Sequence, residues 1–279
     1  MIGKKIGLVL DSVHRYLGKS ALAARLAVKL ENQANAVIRA RMNDGIHFSD
    51  NGEEWLLDRL SAIRVAVDVG ANKGQWSRAV LKTASDSLVQ LIAFEPSKSS
   101  HAWLVHDLAD EISRNLVFVS DSAISDWIGE SVFYADEVAG ERASLGSRSS
   151  VENNRKYSVN VSTLDFELAR YGVKQVDILK IDTEGFDGRV LLGAKGLLER
   201  LGIDVIQFEY NKPWIEAGNS LRQIIDLLER YGYEVYLLKK NGLYIYPYNV
   251  YGEFFGYANF CALSPNIRHK FALFIRGCI

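Results

Sequence analysis

The chain has 279 residues, a formal net charge of −1 and 48% hydrophobic residues. That apolar share supports a sizeable core in one large domain or two small ones, and near-neutrality argues against a general nucleic-acid binder. Cys261 and Cys278 form no metal-type pair and imply no disulfide framework, so a reducing cytoplasm is the simplest compartment.

The first ten residues carry a short apolar run that stops at Asp11, with His14 and Arg15 beyond it. It is too short and wrongly flanked for a signal peptide, and no stretch is long enough to span a bilayer. Residues 12–42 read as one helix, because Val13, Leu17, Ala21, Ala24, Val28 and Met42 share much of one side. Basic residues at 4, 5, 15, 19, 25, 29, 39 and 41 outnumber the acids at 11 and 31. This pattern suits a solvated helix face packed on the domain, or peripheral contact with an anionic membrane surface or acidic partner. Asn51-Gly52 marks a turn, and Glu53 to Leu60 a short helix. The expected organisation is an N-terminal helical extension, 1–60, followed by one domain, 61–279.

The core then alternates. Strand 65–69 precedes helix 74–84, strand 90–94 precedes helix 97–112, and strand 116–120 leads to a hairpin-like piece at 130–135. Strand 176–181 precedes helix 187–201, and strand 203–209 precedes helix 218–231. Such alternation implies a mostly parallel sheet with helices on both faces. Residues 233–238, 243–246 and 257–263 read as strands, with Asn241-Gly242 a hairpin turn. Between the two halves, 139–158 is a long polar loop, a candidate acceptor-binding segment through Arg142 or Arg148.

Strand 65–69 runs into Gly70-Ala-Asn-Lys-Gly74, where the glycines permit a sharp turn and the next helix offers free amides to a charged ligand. One strand later, Leu91-Ile-Ala-Phe-Glu-Pro96 ends on Glu95, placed to accept two ribose hydroxyls. Together they indicate a nucleoside-bearing cofactor. A Walker loop is ruled out because Lys73 precedes Gly74 and Gln75 follows it. A dinucleotide fingerprint needs glycines where Asn72 and Gln75 stand, although Glu95 alone suits NAD. S-adenosylmethionine needs no pyrophosphate cradle and prefers an acid near the end of the first strand, which Asp68 supplies. In this reading Gly70, Asn72 and Gly74 line methionine and ribose, Asp68 meets the ammonium directly or through water, and Glu95 takes the ribose diol. Asp121 or Ser122 lies near the adenine amino group.

A third segment, Val176-Asp-Ile-Leu-Lys-Ile-Asp-Thr-Glu-Gly185, places Lys180 and Asp182 on one face of a buried strand. Asp182 falls at the carboxyl end, where open α/β sheets bind ligands. Such polar residues are costly to bury unpaired. The pair is either a structural ion pair or part of the reaction centre.

With these segments together, the chain resembles the FkbM family of S-adenosylmethionine-dependent methyltransferases. The resemblance rests on Val67-Asp-Val-Gly-Ala-Asn-Lys-Gly74, Phe94-Glu-Pro96, Ala123-Ile-Ser-Asp126 with Gly129, Ser162-Thr-Leu-Asp165, and Asp177-Ile-Leu-Lys-Ile-Asp-Thr-Glu-Gly185 with Leu192-Gly-Ala194. Phe186-Asp187 departs from it, standing where such sequences often carry a small residue and a glutamate. The resemblance implies a Rossmann-like, class I methyltransferase sheet of seven strands, closed by antiparallel strands. It also implies methylation of hydroxyl oxygens on sugars, glycans or secondary metabolites. Asp182 then acts as base or orienting group, Lys180 pairs with it or steadies the developing alkoxide, and Glu184 binds the methionine end or the acceptor. A divalent metal on Asp182, Glu184 and Glu209 is the less favoured activator. A non-catalytic binding module and an NAD-dependent oxidoreductase remain the rival classes. The apolar tail 271–279 packs on the domain or on a second copy.

Overall fold

Residues 2–136 and 154–279 are described here, in a computed structural model. They fall into two units, one up to Arg41 and the other Met42–Ile279. The first is helical, with α1 (Ile2–Leu17) and α2 (Ala21–Met42). The single helix expected over 12–42 is therefore interrupted. Gly18 closes α1 on the His14 carbonyl, and Ser20 Oγ caps α2 by accepting from Ala23 N–H at 3.3 Å, which favours a restart there.

The second unit begins earlier than the boundary expected at residue 60. Leu56 and Leu57 of α3 (Glu53–Leu57), with Leu60, pack into the main core, so this segment belongs to the domain. Next come β1 (Val65–Val69), α4 (Gln75–Thr83), β2 (Gln90–Phe94), α5 (Lys98–Asp107), α6 (Ala109–Ser113) and β3 (Val117–Ser120). A small sheet follows from β4 (Ala123–Ser125), β5 (Gly129–Asp136) and β6 (Asn154–Thr163). The chain then returns through α7 (Leu164–Arg170), β7 (Val176–Ile181), α8 (Asp187–Leu192), α9 (Lys195–Glu199) and β8 (Ile203–Tyr210). It ends with α10 (Leu221–Arg230), β9 (Glu234–Lys239), β10 (Gly242–Ile245), α11 (Tyr248–Tyr251), β11 (Ala258–Leu263), α12 (Arg268–Phe271) and β12 (Ile275–Cys278).

Among the described residues the main sheet has nine strands, in the order β12-β10-β9-β11-β8-β7-β1-β2-β3. Strands β3, β2, β1, β7 and β8 are parallel, and β11 runs antiparallel between β8 and β9. Seven strands were expected. The count rises because β10 turns back on β9 at Gly242 and the apolar tail adds β12 beside β10. Ile178, Leu179 and Ile181 of β7 are all buried, as a strand covered on both faces requires.

Two more expectations change. Residues 154–158 of the expected loop are strand, since Tyr157, Val159 and Val161 pack with Phe133 and Ala123 in the core of the small sheet. Residues 139–153, with Arg142 and Arg148, lie outside the described part. The helix expected over 187–201 divides at Gly193, where an added Cβ would lie 2.0 Å from the Ser125 carbonyl oxygen. Glycine there lets α8 press against β4.

Candidate active site

Strands β1 and β7 are parallel neighbours, with Asp68 in register with Lys180. Their carboxyl ends are tied at the rim, where Val69 O accepts from Asp182 N–H at 2.9 Å and Phe94 O accepts from Gly70 N–H at 2.9 Å. Gly70 has φ +82°, and a Cβ there would lie 1.9 Å from the Asp182 carbonyl oxygen. Only glycine suits both the conformation and the approach.

Asn72 also adopts a left-handed conformation, φ 48°, which asparagine tolerates better than most residues. That turn aims its N–H at Glu95 Oε2, 2.7 Å away, while Ser97 N–H donates to Glu95 Oε1 at 2.7 Å. Ser100 Oγ donates to Asn72 Oδ1 at 3.1 Å and steadies the loop. Burial pushes the Glu95 carboxyl up to about 7; the two amide bonds oppose this, and Asp68 and Asp182 add to it.

Gly70, Asn72 and Glu95 open onto a cleft of about 690 Å³, a volume that includes open solvent. Ile124 and Phe133, from β4 and β5, give it an apolar wall. Asp182, Thr183, Glu184 and Phe186 complete the rim beyond β7. Ser122 also lines the cleft, whereas Asp121 is exposed outside it.

Three of the other expected site residues stand behind this surface. Gly74 is the left-handed residue before α4, and its role is to start that helix. Asp68 is fully buried and away from the cleft, which corrects its expected contact with a bound ammonium. Its Oδ2 accepts from Ser77 Oγ at 2.7 Å. Its Oδ1 lies 3.8 Å from Lys180 Nζ, a contact of charges too long for a hydrogen bond. Burial raises the Asp68 carboxyl, against the pull of Lys180 and Ser77. Lys180 is buried too, with Nζ 3.1 Å from Asp182 Oδ2. Burial disfavours its charge, but Asp182, Asp68 and Glu53 outweigh that and hold the ammonium well above the usual lysine range. Glu53, from α3, accepts from Gln207 Nε2 at 2.6 Å, and burial raises its carboxyl.

Asp187, noted in the sequence only as a departure, organises the turn after β7. Its Oδ2 accepts from Thr183 Oγ1 at 3.0 Å and from Gly185 N–H at 3.3 Å, and its Oδ1 accepts from Glu209 N–H at 3.3 Å. Burial, reinforced by Asp182, pushes it up to about 7. Glu184 completes that turn at φ 55°, a strained conformation for a non-glycine residue. Glu209 is raised well above the carboxylate range by burial and then by Asp182, Asp187 and Glu184. Among the described residues, no three His, Cys, Asp or Glu side chains are grouped so as to hold a metal ion.

Ser97, Ser100 and Phe133 were not singled out in the sequence, and Phe186 was noted only as part of a departure from the family pattern. Ser97 had a local signal, being two residues past a strand-ending acid. Phe133 had none, because the small sheet that carries it to the cleft depends on pairing across residues 137–153.

A mostly parallel sheet with β7 between β1 and β8, and a cleft built on Gly70 and Glu95, define a Rossmann-like α/β fold with its ligand site at the strand ends. The sequence matches the methyltransferase FkbM domain over residues 68–235, and the chain belongs to the FkbM methyltransferase family. S-adenosylmethionine is the methyl donor. Several solved structures are similar to the chain at low identity. The methyltransferase FkbM from Methylobacillus flagellatus KT is 12% identical with a TM-score of 0.46, and the match covers 72% of this chain. The chain spans 43% of the length of that protein. A precorrin-6y C5,15-methyltransferase from Geobacter metallireducens GS-15 is 11% identical, with 77% and 87% of the two chains covered and a TM-score of 0.42. An rRNA methylase from Streptococcus thermophilus is 11% identical, with 76% and 93% covered and a TM-score of 0.44. No curated protein matches the sequence.

The residues at the cleft fit the donor. Each Glu95 oxygen accepts one amide bond and keeps capacity for another, as a diol requires. Ile124 and Phe133 offer apolar surface to a purine, and the carboxylates of Asp182 and Glu184 suit a cation.

Proposed function

We propose that the protein methylates a hydroxyl oxygen on a sugar, glycan or secondary metabolite. The observation that carries this reading is the Asp182 carboxylate, which lines the donor cleft while Lys180 holds its Oδ2 at 3.1 Å. The bound donor supplies an electrophilic methyl carbon on a sulfonium centre. A hydroxyl is a poor nucleophile, so the protein must take its proton or orient it. Asp182 Oδ1 accepts that proton, and Lys180 fixes the carboxylate and offsets the charge that develops on the acceptor oxygen. Positioning supplies the rest of the rate enhancement.

Around this centre, Glu95 takes the ribose diol, Gly70 and Asn72 border ribose and methionine, and Ser122 faces the adenine. Glu184 meets the methionine ammonium. Asp68 acts through Lys180 and not on the donor. A net charge of −1 favours neutral hydroxylated acceptors over nucleic acids. The free thiols of Cys261 and Cys278 suit a reducing compartment such as the cytoplasm.

The test is transfer of labelled methyl groups from S-adenosylmethionine to a panel of sugars, glycans and polyols, with product analysis by NMR. O-methyl products that depend on Asp182 are expected. Transfer confined to nitrogen or carbon, or none with any hydroxyl acceptor, overturns the proposal.

A further inference from the structure

The helical N-terminal unit has no part in the cleft, and its surface is unusual. Leu22, Leu26, Leu30 and Val37 of α2 are each between 51% and 72% exposed. At 3.6 residues per turn they fall within an arc of about 80° on one side of the helix. Leu10, Val13 and Leu17 of α1, spaced as neighbours on one face, are also close to half exposed. Such an exposed apolar stripe, broken on α2 by Gln33, requires an explanation.

Charge selects the occupant. Through residue 41 the chain carries eight basic residues and two acids. The whole chain has a net charge of −1, so Met42–Ile279 is net acidic and the positive charge is concentrated on the two helices. On α2, Arg25 and Lys29 flank one side of the stripe and Arg41 the other. A second copy would bring like charges against these residues. An RNA would use the charges but leave the leucines in water. No described helix is long and apolar enough to cross a membrane. An apolar stripe edged by lysine and arginine, on a helix that does not span, fits a surface-bound helix in an anionic bilayer.

We propose that α1 and α2 dock the enzyme on anionic lipid surfaces, with Leu22, Leu26, Leu30 and Val37 in the acyl boundary and Arg25, Lys29 and Arg41 at the headgroups. This inference is independent of the acceptor.

The test is sedimentation of the full chain with vesicles of phosphatidylcholine alone or mixed with phosphatidylserine. Binding to the mixed vesicles, falling as salt is raised, is expected. L26D/L30D should abolish it. R25Q/K29Q, which keeps good helix formers, should weaken it by at least about tenfold. Both variants should bind S-adenosylmethionine as the unaltered chain does, showing that the catalytic unit is folded. Three outcomes overturn the proposal: no binding to mixed vesicles, equal binding with and without phosphatidylserine, or a dimer by light scattering that L26D/L30D dissociates while vesicles are not bound. Retention on an RNA homopolymer without vesicle binding also overturns it.

Discussion

Lys180 Nζ lies 3.1 Å from Asp182 Oδ2, joining a buried cation on β7 to a half-buried carboxylate at the mouth of the donor cleft. The two residues are separated by one position, so strand geometry puts both side chains on the same face. Lys180 also balances Asp68 and Glu53, which reach it from β1 and α3. The Asp182 carboxylate is therefore the exposed end of a buried charge cluster, held by Lys180.

Asp182→Asn keeps the shape and removes the proposed proton acceptor. Turnover should fall by about 10²- to 10⁴-fold, the usual contribution of a positioned base. Donor affinity, measured by isothermal titration, should stay within about twofold, because the proposed ribose contacts belong to Glu95. Loss of donor binding in step with turnover would instead make Asp182 a donor-site residue.

Lys180→Met tests the interior of the cluster. It removes the cation and leaves Asp68, fully buried, with Ser77 alone. Breaking a buried pair from one side costs about 3–5 kcal/mol, and urea denaturation should show a loss of that order. Adding Asp68→Asn should recover part of it, because the stranded charge is then gone. No recovery would mean that the lysine stem contributes by packing and not by charge.

Much of this arrangement was legible in the chain. Gly70, Glu95, Lys180 and Asp182 are local signals: each sits at or near the end of an apolar run, and run, turn and acid can be counted along the sequence. Asp68 was misplaced because a strand-end acid looks the same whether it faces the ligand or points beneath it. The distinction depends on Lys180 and Ser77, which arrive from β7 and α4. The small sheet was missed for a related reason. β6 alternates clearly over 157–162, but its partner β5 lies across a long polar stretch, so nothing nearby in sequence announces the pairing. Of the two added edge strands, β10 was legible from its local Asn241-Gly242 hairpin, whereas β12 depends on long-range pairing, Leu243 with Ile275.

Glu95 gives a pH dependence with a definite sign. Its folded value of about 7 lies above the ordinary 4.5. The folded protein therefore holds this proton more tightly than the unfolded chain does. The group's contribution to stability is complete below about 4.5 and is lost as pH rises through about 7. Donor binding runs the other way, because the ionised carboxylate is the better acceptor for a diol. The donor dissociation constant should rise as pH falls below 7, approaching about tenfold per unit. In Glu95→Gln it should be weaker throughout and nearly flat over the same range. A wild-type profile that is equally flat would remove Glu95 from the donor contacts.

Asp187 is the position where a structural acid has a functional consequence. One carboxylate gathers the Thr183 hydroxyl, the Gly185 N–H and the Glu209 N–H, and so ties the turn after β7 to β8. Asp187→Ala leaves the buried Gly185 N–H, and the part-buried Thr183 hydroxyl and Glu209 N–H, without that acceptor, which should cost about 2–3 kcal/mol. The turn carries Thr183 and Glu184 into the cleft, so KM for both substrates should rise along with the loss of stability. Asp187→Asn retains one acceptor oxygen and should fall between the two. Its proton count no longer changes, so its stability should also lose the part of the pH dependence that Asp187 contributes, up to about 7. Thermal melts at pH 5 and pH 8 separate these outcomes. The unaltered chain has lost more of the Asp187 contribution at pH 8 than at pH 5, so the Asn variant should compare more favourably with it at pH 8. The same difference at both values would place the titrating group elsewhere.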